Sequence, residues 1–279
     1  MTRNEDLLAR VAAALERLAP PEPAETDWLS APAYVWAGTA RPVPAIAAPP
    51  LVLLKGIAGQ KDAVVTNVAR LASGHAAHDM LLWGARGMGK SALLRAAIVA
   101  AQAQVPGSIA LVQIAPEAVA SLSALFSALG AVPRQFLVFI DDLGFEEGDS
   151  TGPRALRSWL EGGVEARPGN VRLAVTSNRR AIVPRHLSEQ DPSAADGPIN
   201  PRDAVDDQLA LADRFGLSVG FHNCSQDDYL AIVAGYCTAH ALSYDQAEAL
   251  DWAKRRGARS GRVAWQWVTE LAGRAGQQL

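Results

Sequence analysis

A single stretch, MLLWGARGMGKSALLRAA at residues 80–97, dictates a strand, a glycine loop and a helix in succession. The apolar run Met80-Leu81-Leu82-Trp83 stops at Gly84, and a segment with Leu93, Leu94, Ala97, Ile98 and Ala101 at helical spacing starts just past Ser91. Between them Gly84-Ala85-Arg86-Gly87-Met88-Gly89-Lys90-Ser91 satisfies G-x-x-x-x-G-K-[ST]. Such a loop turns several backbone N–H groups toward one polyphosphate. Side chains at Gly84, Gly87 or Gly89 would block that approach or the positive φ it needs. The following helix aims its partial positive end at the same anion. Lys90 is expected to reach the β- and γ-phosphates, and the Ser91 hydroxyl to ligate Mg²⁺. The loop is therefore a candidate nucleotide site.

Gln135-Phe136-Leu137-Val138-Phe139-Ile140 runs into Asp141-Asp142. An apolar run ending in paired acids marks a central parallel strand whose carboxyl end lies beside the phosphate loop. Asp141 is expected to hold Mg²⁺ and Asp142 to polarise the attacking water. A further strand, Val171 to Thr176, ends in Ser177-Asn178-Arg179-Arg180, and Asn178 at its tip is placed to orient that water against the γ-phosphate.

The remainder divides into three regions, expected as residues 1–50, 51–222 and 223–279. In the first, a helix over residues 4–18 (Leu7, Leu8, Val11, Ala14, Leu15, Leu18) ends at Pro20-Pro21-Glu22-Pro23. Trp28, Leu29, Tyr34, Val35 and Trp36 then pack onto the main body, and a proline-rich strap runs from Arg41 to Pro50. The second region opens with a helix carrying Val64, Val65, Val68 and Leu71, and holds strands near 80–83, 109–114, 135–140, 171–176 and 217–221. Residues 184–206, broken by four prolines, read as a mobile loop on the active-site side. His75 and His78 have no third ligand in view, so zinc is not expected there. The third region is a three-helix lid. Its helices begin at the boxes Ser225-Gln226-Asp227-Asp228 and Ser243-Tyr244-Asp245-Gln246, and after Ser260-Gly261-Arg262 with Val263, Trp267 and Leu271 on one face.

With 279 residues, 49% hydrophobic and 20% charged, the chain has the makings of a soluble globular protein with more than one domain. A net charge of −3 gives no global pull toward nucleic acid. Two cysteines, Cys224 and Cys237, suit neither a disulfide framework nor a zinc knuckle, and a reducing cytoplasm is expected. No run approaches the ~20 apolar residues of a membrane span, and the early Glu5 and Asp6 lack an apolar stretch behind them, so no secretory signal is expected. The excess of arginine over lysine and the abundant alanine hint at a GC-rich bacterial genome.

Taken in order, LLWGARGMGKSAL, FLVFIDDLGFEEGD, TSNRR, DRFGL and GARSGRVA resemble the AAA+ superfamily. More narrowly they look like an uncharacterised bacterial family of predicted AAA+ ATPases, from about residue 30 to the C terminus. The resemblance implies an α/β fold, an AAA+-type P-loop NTPase with a five-stranded parallel sheet in the order 5-1-4-3-2 between helices and a small C-terminal helical lid. It implies ATP and Mg²⁺ as ligands, with Lys90 and Ser91 on phosphate and metal, Asp141 as the metal acid and Asn178 as the strand-end sensor. Ile57, in the turn before the first helix, becomes the candidate adenine contact. Arg214, in Asp213-Arg214-Phe215-Gly216, sits where relatives carry an arginine finger that completes a neighbouring subunit's site. Arg179 and Arg180 compete for that role. Arg262 matches a lid arginine that senses the γ-phosphate of its own subunit. Most AAA+ ATPases carry Glu where Asp142 stands, so Glu146 or Glu147 is the alternative base.

The implied activity is ATP hydrolysis by in-line attack of water, driving movement in a homo-oligomer or a protein client. A slowly hydrolysing, nucleotide-dependent binding switch comes second. A nucleic-acid remodeller related to replication initiators comes third: Lys254, Arg255, Arg256, Arg259 and Arg262 favour it, and the lack of room for a helix-turn-helix module argues against it.

Overall fold

A computed structural model describes residues 26–143, 167–178 and 214–279, with isolated positions at 4, 7, 10, 11 and 160. The expected helix of residues 4–18 lies mostly outside the described residues, and the 184–206 loop lies wholly outside them.

The apolar runs assemble into one sheet. Its strands are β1 (Ala33–Trp36), β2 (Ala40–Val43), β3 (Met80–Gly84), β4 (Ile109–Ile114), β5 (Gln135–Ile140), β6 (Val171–Ser177) and β7 (Leu217–Phe221). They are hydrogen-bonded in the order β2-β1-β4-β5-β6-β3-β7. β1 and β2 are antiparallel and every other neighbouring pair is parallel. This corrects the expectation of five strands, all parallel: among the described residues the sheet has seven, with one antiparallel pair. The aromatic stretch expected only to pack on the body contributes β1, and the strap of residues 41–50 begins as β2. Four-residue strands are too short for a period of two to stand out in sequence. Tyr34 and Trp36 are buried beside β4, and Pro42 is tolerated because β2 forms the sheet edge, where its missing N–H breaks no ladder.

Central strands bury both faces, as parallel sheets do. Leu82, Leu137 and Phe139 face one apolar cluster with Val68, Leu93, Leu94 and Trp267. Leu81, Phe136 and Val138 face the other, with Trp28, Tyr34, Phe126, Leu173 and Val175. Helices α1 (Ala58–Ala72), α2 (Lys90–Gln104) and α3 (Leu122–Gly130) accompany the sheet. A buried arginine staples the N-terminal segment to this body: Arg134 donates to the carbonyls of Trp28 at 3.0 Å, Ala31 at 2.7 Å and Ile109 at 3.0 Å.

The lid is formed by α4 (Gln226–Ala239), α5 (Gln246–Arg255) and α6 (Gly261–Arg274). At α4 half of the capping box forms: Ser225 Oγ accepts from the Asp228 N–H at 3.0 Å, and the Asp228 carboxylate takes the Ser225 hydroxyl at 2.7 Å instead of the Ser225 N–H. The cap of α5 is Asp245, accepting from the Glu248 N–H at 2.9 Å, rather than the expected Ser243. Ala241, at φ 52°, and the bond from Leu242 N–H to the Cys237 carbonyl at 2.8 Å close α4 first, leaving Ser243 in the connection. Both cysteines are free and buried, and burial pushes the Cys224 thiol up to about 11, so it is no nucleophile near neutral pH. Among the described residues no helix is long and apolar enough to cross a membrane.

Candidate nucleotide site

β5, β6 and β3 are parallel neighbours, so their carboxyl ends open on the same side. Asp141, Asn178 and the loop after Gly84, far apart in sequence, meet there. Gly84 has φ 121°, and a Cβ on it would lie 2.1 Å from the Phe221 carbonyl oxygen. Only glycine lets the loop leave β3 so close to β7. At Gly87, φ 75°, a Cβ would lie 2.9 Å from Ser260 Oγ. The lid thus docks on the bare loop backbone, with the Arg262 N–H donating to the Gly87 carbonyl at 3.2 Å. Gly89, in the left-handed region, starts α2.

Lys90 is buried at 6% exposure and donates to the carbonyls of Gly84 at 3.0 Å and Ala85 at 2.9 Å, and to Asn178 Oδ1 at 2.9 Å. Burial lowers its pKa, opposed by the nearby Asp142 and Asp141 carboxylates. Ser91 Oγ donates to Asp141 Oδ1 at 2.6 Å, and Thr176 Oγ1 donates to the same oxygen at 2.7 Å. Thr176 Oγ1 also accepts from the Asp142 N–H at 2.8 Å, and Asn178 Nδ2 donates to Asp142 Oδ1. These bonds hold Asp142 at φ 52°, a left-handed conformation that Asp tolerates better than most residues.

Thr176 escaped the sequence reading although one hydroxyl ties both acids together. Its signal was its place two residues before Asn178 on a strand ending at the site, but which face it presents depends on strand register.

A cleft of about 690 Å³ lies between this end of the sheet and the lid. Gly87, Met88, Gly89, Lys90, Ser91, Asp141, Asp142, Thr176, Asn178 and Arg262 line it, as do Leu54, Ile57, Ile232, Tyr236 and Trp265. Its size suits a nucleotide-sized ligand. Tyr236 and Trp265, edge to face at 4.9 Å, give it an aromatic lid wall that the sequence reading did not single out. Gly84 and Ala85 frame the loop without lining the cleft, and Arg86 is exposed outside it.

Arg214 is not brought to this cleft. It precedes β7 at the opposite end of the sheet, since Leu217 pairs with Met80 and Phe221 with Gly84. The strand alone separates it from the loop by roughly 13 Å, at about 3.3 Å per residue. Glu146, Glu147, Arg179 and Arg180 lie outside the described residues. Among the described residues no cluster of three or more His, Cys, Asp or Glu forms a metal site. The hard oxygens of Ser91 and Asp141 fit Mg²⁺, which needs only one or two protein ligands when it is bound to phosphate.

The family described as "Protein of unknown function (DUF815)" matches residues 29–275. No curated protein matches the chain. Among solved structures, a single-site variant of Thermotoga maritima RuvB is similar at 15% identity and a TM-score of 0.52, covering 80% of this chain and 65% of that one. The Aeropyrum pernix ORC1 protein in complex with DNA is similar at 13% identity and a TM-score of 0.54, covering 81% and 65%. The chain therefore spans just under two thirds of either structure's length. Both are AAA+ ATPases, and the likeness is one of fold.

Proposed function

The chain belongs to the DUF815 family and has the AAA+ P-loop fold, and from that premise we propose that it binds ATP with Mg²⁺ and hydrolyses it to drive movement in an assembly. The observation that carries this reading is the convergence of Lys90, Ser91, Asp141, Asp142 and Asn178 in one cleft capped by Arg262. In this reading the loop N–H groups and Lys90 hold the β- and γ-phosphates. Ser91 and Asp141 hold the Mg²⁺, which supplies charge neutralisation when bound. Asp142 Oδ1 is engaged by Asn178 while its second oxygen has no partner among the described residues, so Asp142 can take the proton of a water that Asn178 helps to position. Arg262, entering the cleft from the lid, meets the γ-phosphate, while Leu54, Ile57, Ile232, Tyr236 and Trp265 receive the base.

Trp265, 39% exposed in the wall of the cleft, serves as a reporter. Adding ATP or ADP is expected to change the intrinsic fluorescence. In Trp265→Phe that change should vanish while affinity falls less than about tenfold, the range of an aromatic contact. A fluorescence response equal to wild type would place the base elsewhere.

Arg214, at the far end of the sheet, acts on a neighbouring copy rather than on its own cleft. The ATPase rate per subunit is therefore expected to climb with protein concentration and to fall about a thousandfold in Arg214→Ala. A flat, slow rate that Arg214→Ala leaves unchanged overturns the role in trans and favours a nucleotide switch. One observation favours that second reading: all three donors of the Lys90 ammonium are engaged by Gly84, Ala85 and Asn178, so some of these bonds must part before the lysine takes phosphate.

A further inference from the structure

Arg95 encloses a guanidine nitrogen and holds nothing with it. It follows Ser91 by one turn of α2, so the two share a helix face, and both line the cleft. Its Nε is buried without a hydrogen-bond partner. Arg134 and Arg167 also enclose an unbonded nitrogen, but their other nitrogens hold three carbonyls and the Asp79 carboxylate. Arg95 has no hydrogen bond or ion pair to any described residue. Ala47, Ala48 and Pro49, which line the same cleft, carry no side-chain acceptor. A buried donor left unmet is costly, so its retention beside a ligand cleft calls for an acceptor that arrives with the ligand.

We propose that Arg95 is a nucleotide-contacting residue whose guanidinium takes a phosphate oxygen on the ribose side of the γ-phosphate. The inference rests on the nucleotide reading of the cleft. A planar fork of donors matches phosphate oxygens better than a hydroxyl. Along α2, Arg95 stands about 6 Å from Ser91, at 1.5 Å per residue, beyond the loop that cradles the terminal phosphates.

The test titrates the full chain, Arg95→Gln and Arg95→Lys with ATP, ADP and 2′-deoxy-ADP. Arg95→Gln is expected to weaken all three by the same factor, about ten- to a hundredfold, with Arg95→Lys recovering part of the loss. Without nucleotide, Arg95→Gln should melt no lower than wild type, because no bond is lost. Equal affinities for wild type and Arg95→Gln overturn the inference. So does a loss confined to ATP, which would move the contact to the γ-phosphate, or one that disappears with 2′-deoxy-ADP, which would make it a hydroxyl contact. Wild type that binds none of the three and matches Lys90→Ala sinks the nucleotide reading and this inference together.

Discussion

Lys90→Ala is expected to bind ATP at least about a hundredfold more weakly than wild type and to release no phosphate above background. The ammonium is nearly enclosed and sits among the Gly84 and Ala85 carbonyls and Asn178, at the mouth of α2 where a polyphosphate would lie. Truncation removes the charge and leaves those acceptors without their donor, a cost of about 1–3 kcal/mol each if they stay dry. The folded protein also escapes the desolvation that lowers the Lys90 pKa, so the two effects on stability oppose each other. Melting without nucleotide should therefore move much less than affinity. Calorimetric titration beside a thermal melt separates them. Retention of wild-type affinity would show that the loop does not hold phosphate through this residue.

Gly84→Ala should do the reverse and strike the fold first. The added Cβ would meet the Phe221 carbonyl oxygen at 2.1 Å, its carbon at 2.9 Å and its nitrogen at 3.0 Å. All three are backbone atoms of β7, and the Ala85 N–H donates to that same oxygen at 2.9 Å. No rotamer can relieve the contact, so β7 must shift against β3. A loss above about 4 kcal/mol is expected, with a fall in melting temperature on the order of 10 °C. Gly107→Ala is the control. Its φ is 77°, but nothing lies within 4 Å, so only the left-handed backbone penalty of about 1–2 kcal/mol applies. Equal losses in the two variants would remove the close approach as the cause.

Local features were legible without the fold. Ser225 caps α4 as expected because a side-chain oxygen bonding an N–H three residues on needs only contiguous chain, while α6, expected after Arg262, starts at Gly261 with Ser260 as its cap. The β1–β2 pair was not legible, because a four-residue strand is defined by the neighbour it finds, here β4. Ser243 and Asp245 are both good caps, and the choice fell to the αL turn that closes α4.

The sequence by itself determined the glycine loop between a strand and a helix, the acidic strand end and the three C-terminal helices, since each is specified by residues close together along the chain. The tertiary structure alone decided that Thr176 joins Asp141 to Asp142, that Lys90 rests on Asn178, that Trp265 walls the cleft, that Arg95 is left with an unmet donor and that Arg214 stands at the opposite end of the sheet. Those facts depend on strand register, lid docking and burial, which arise only when segments distant in sequence pack against one another.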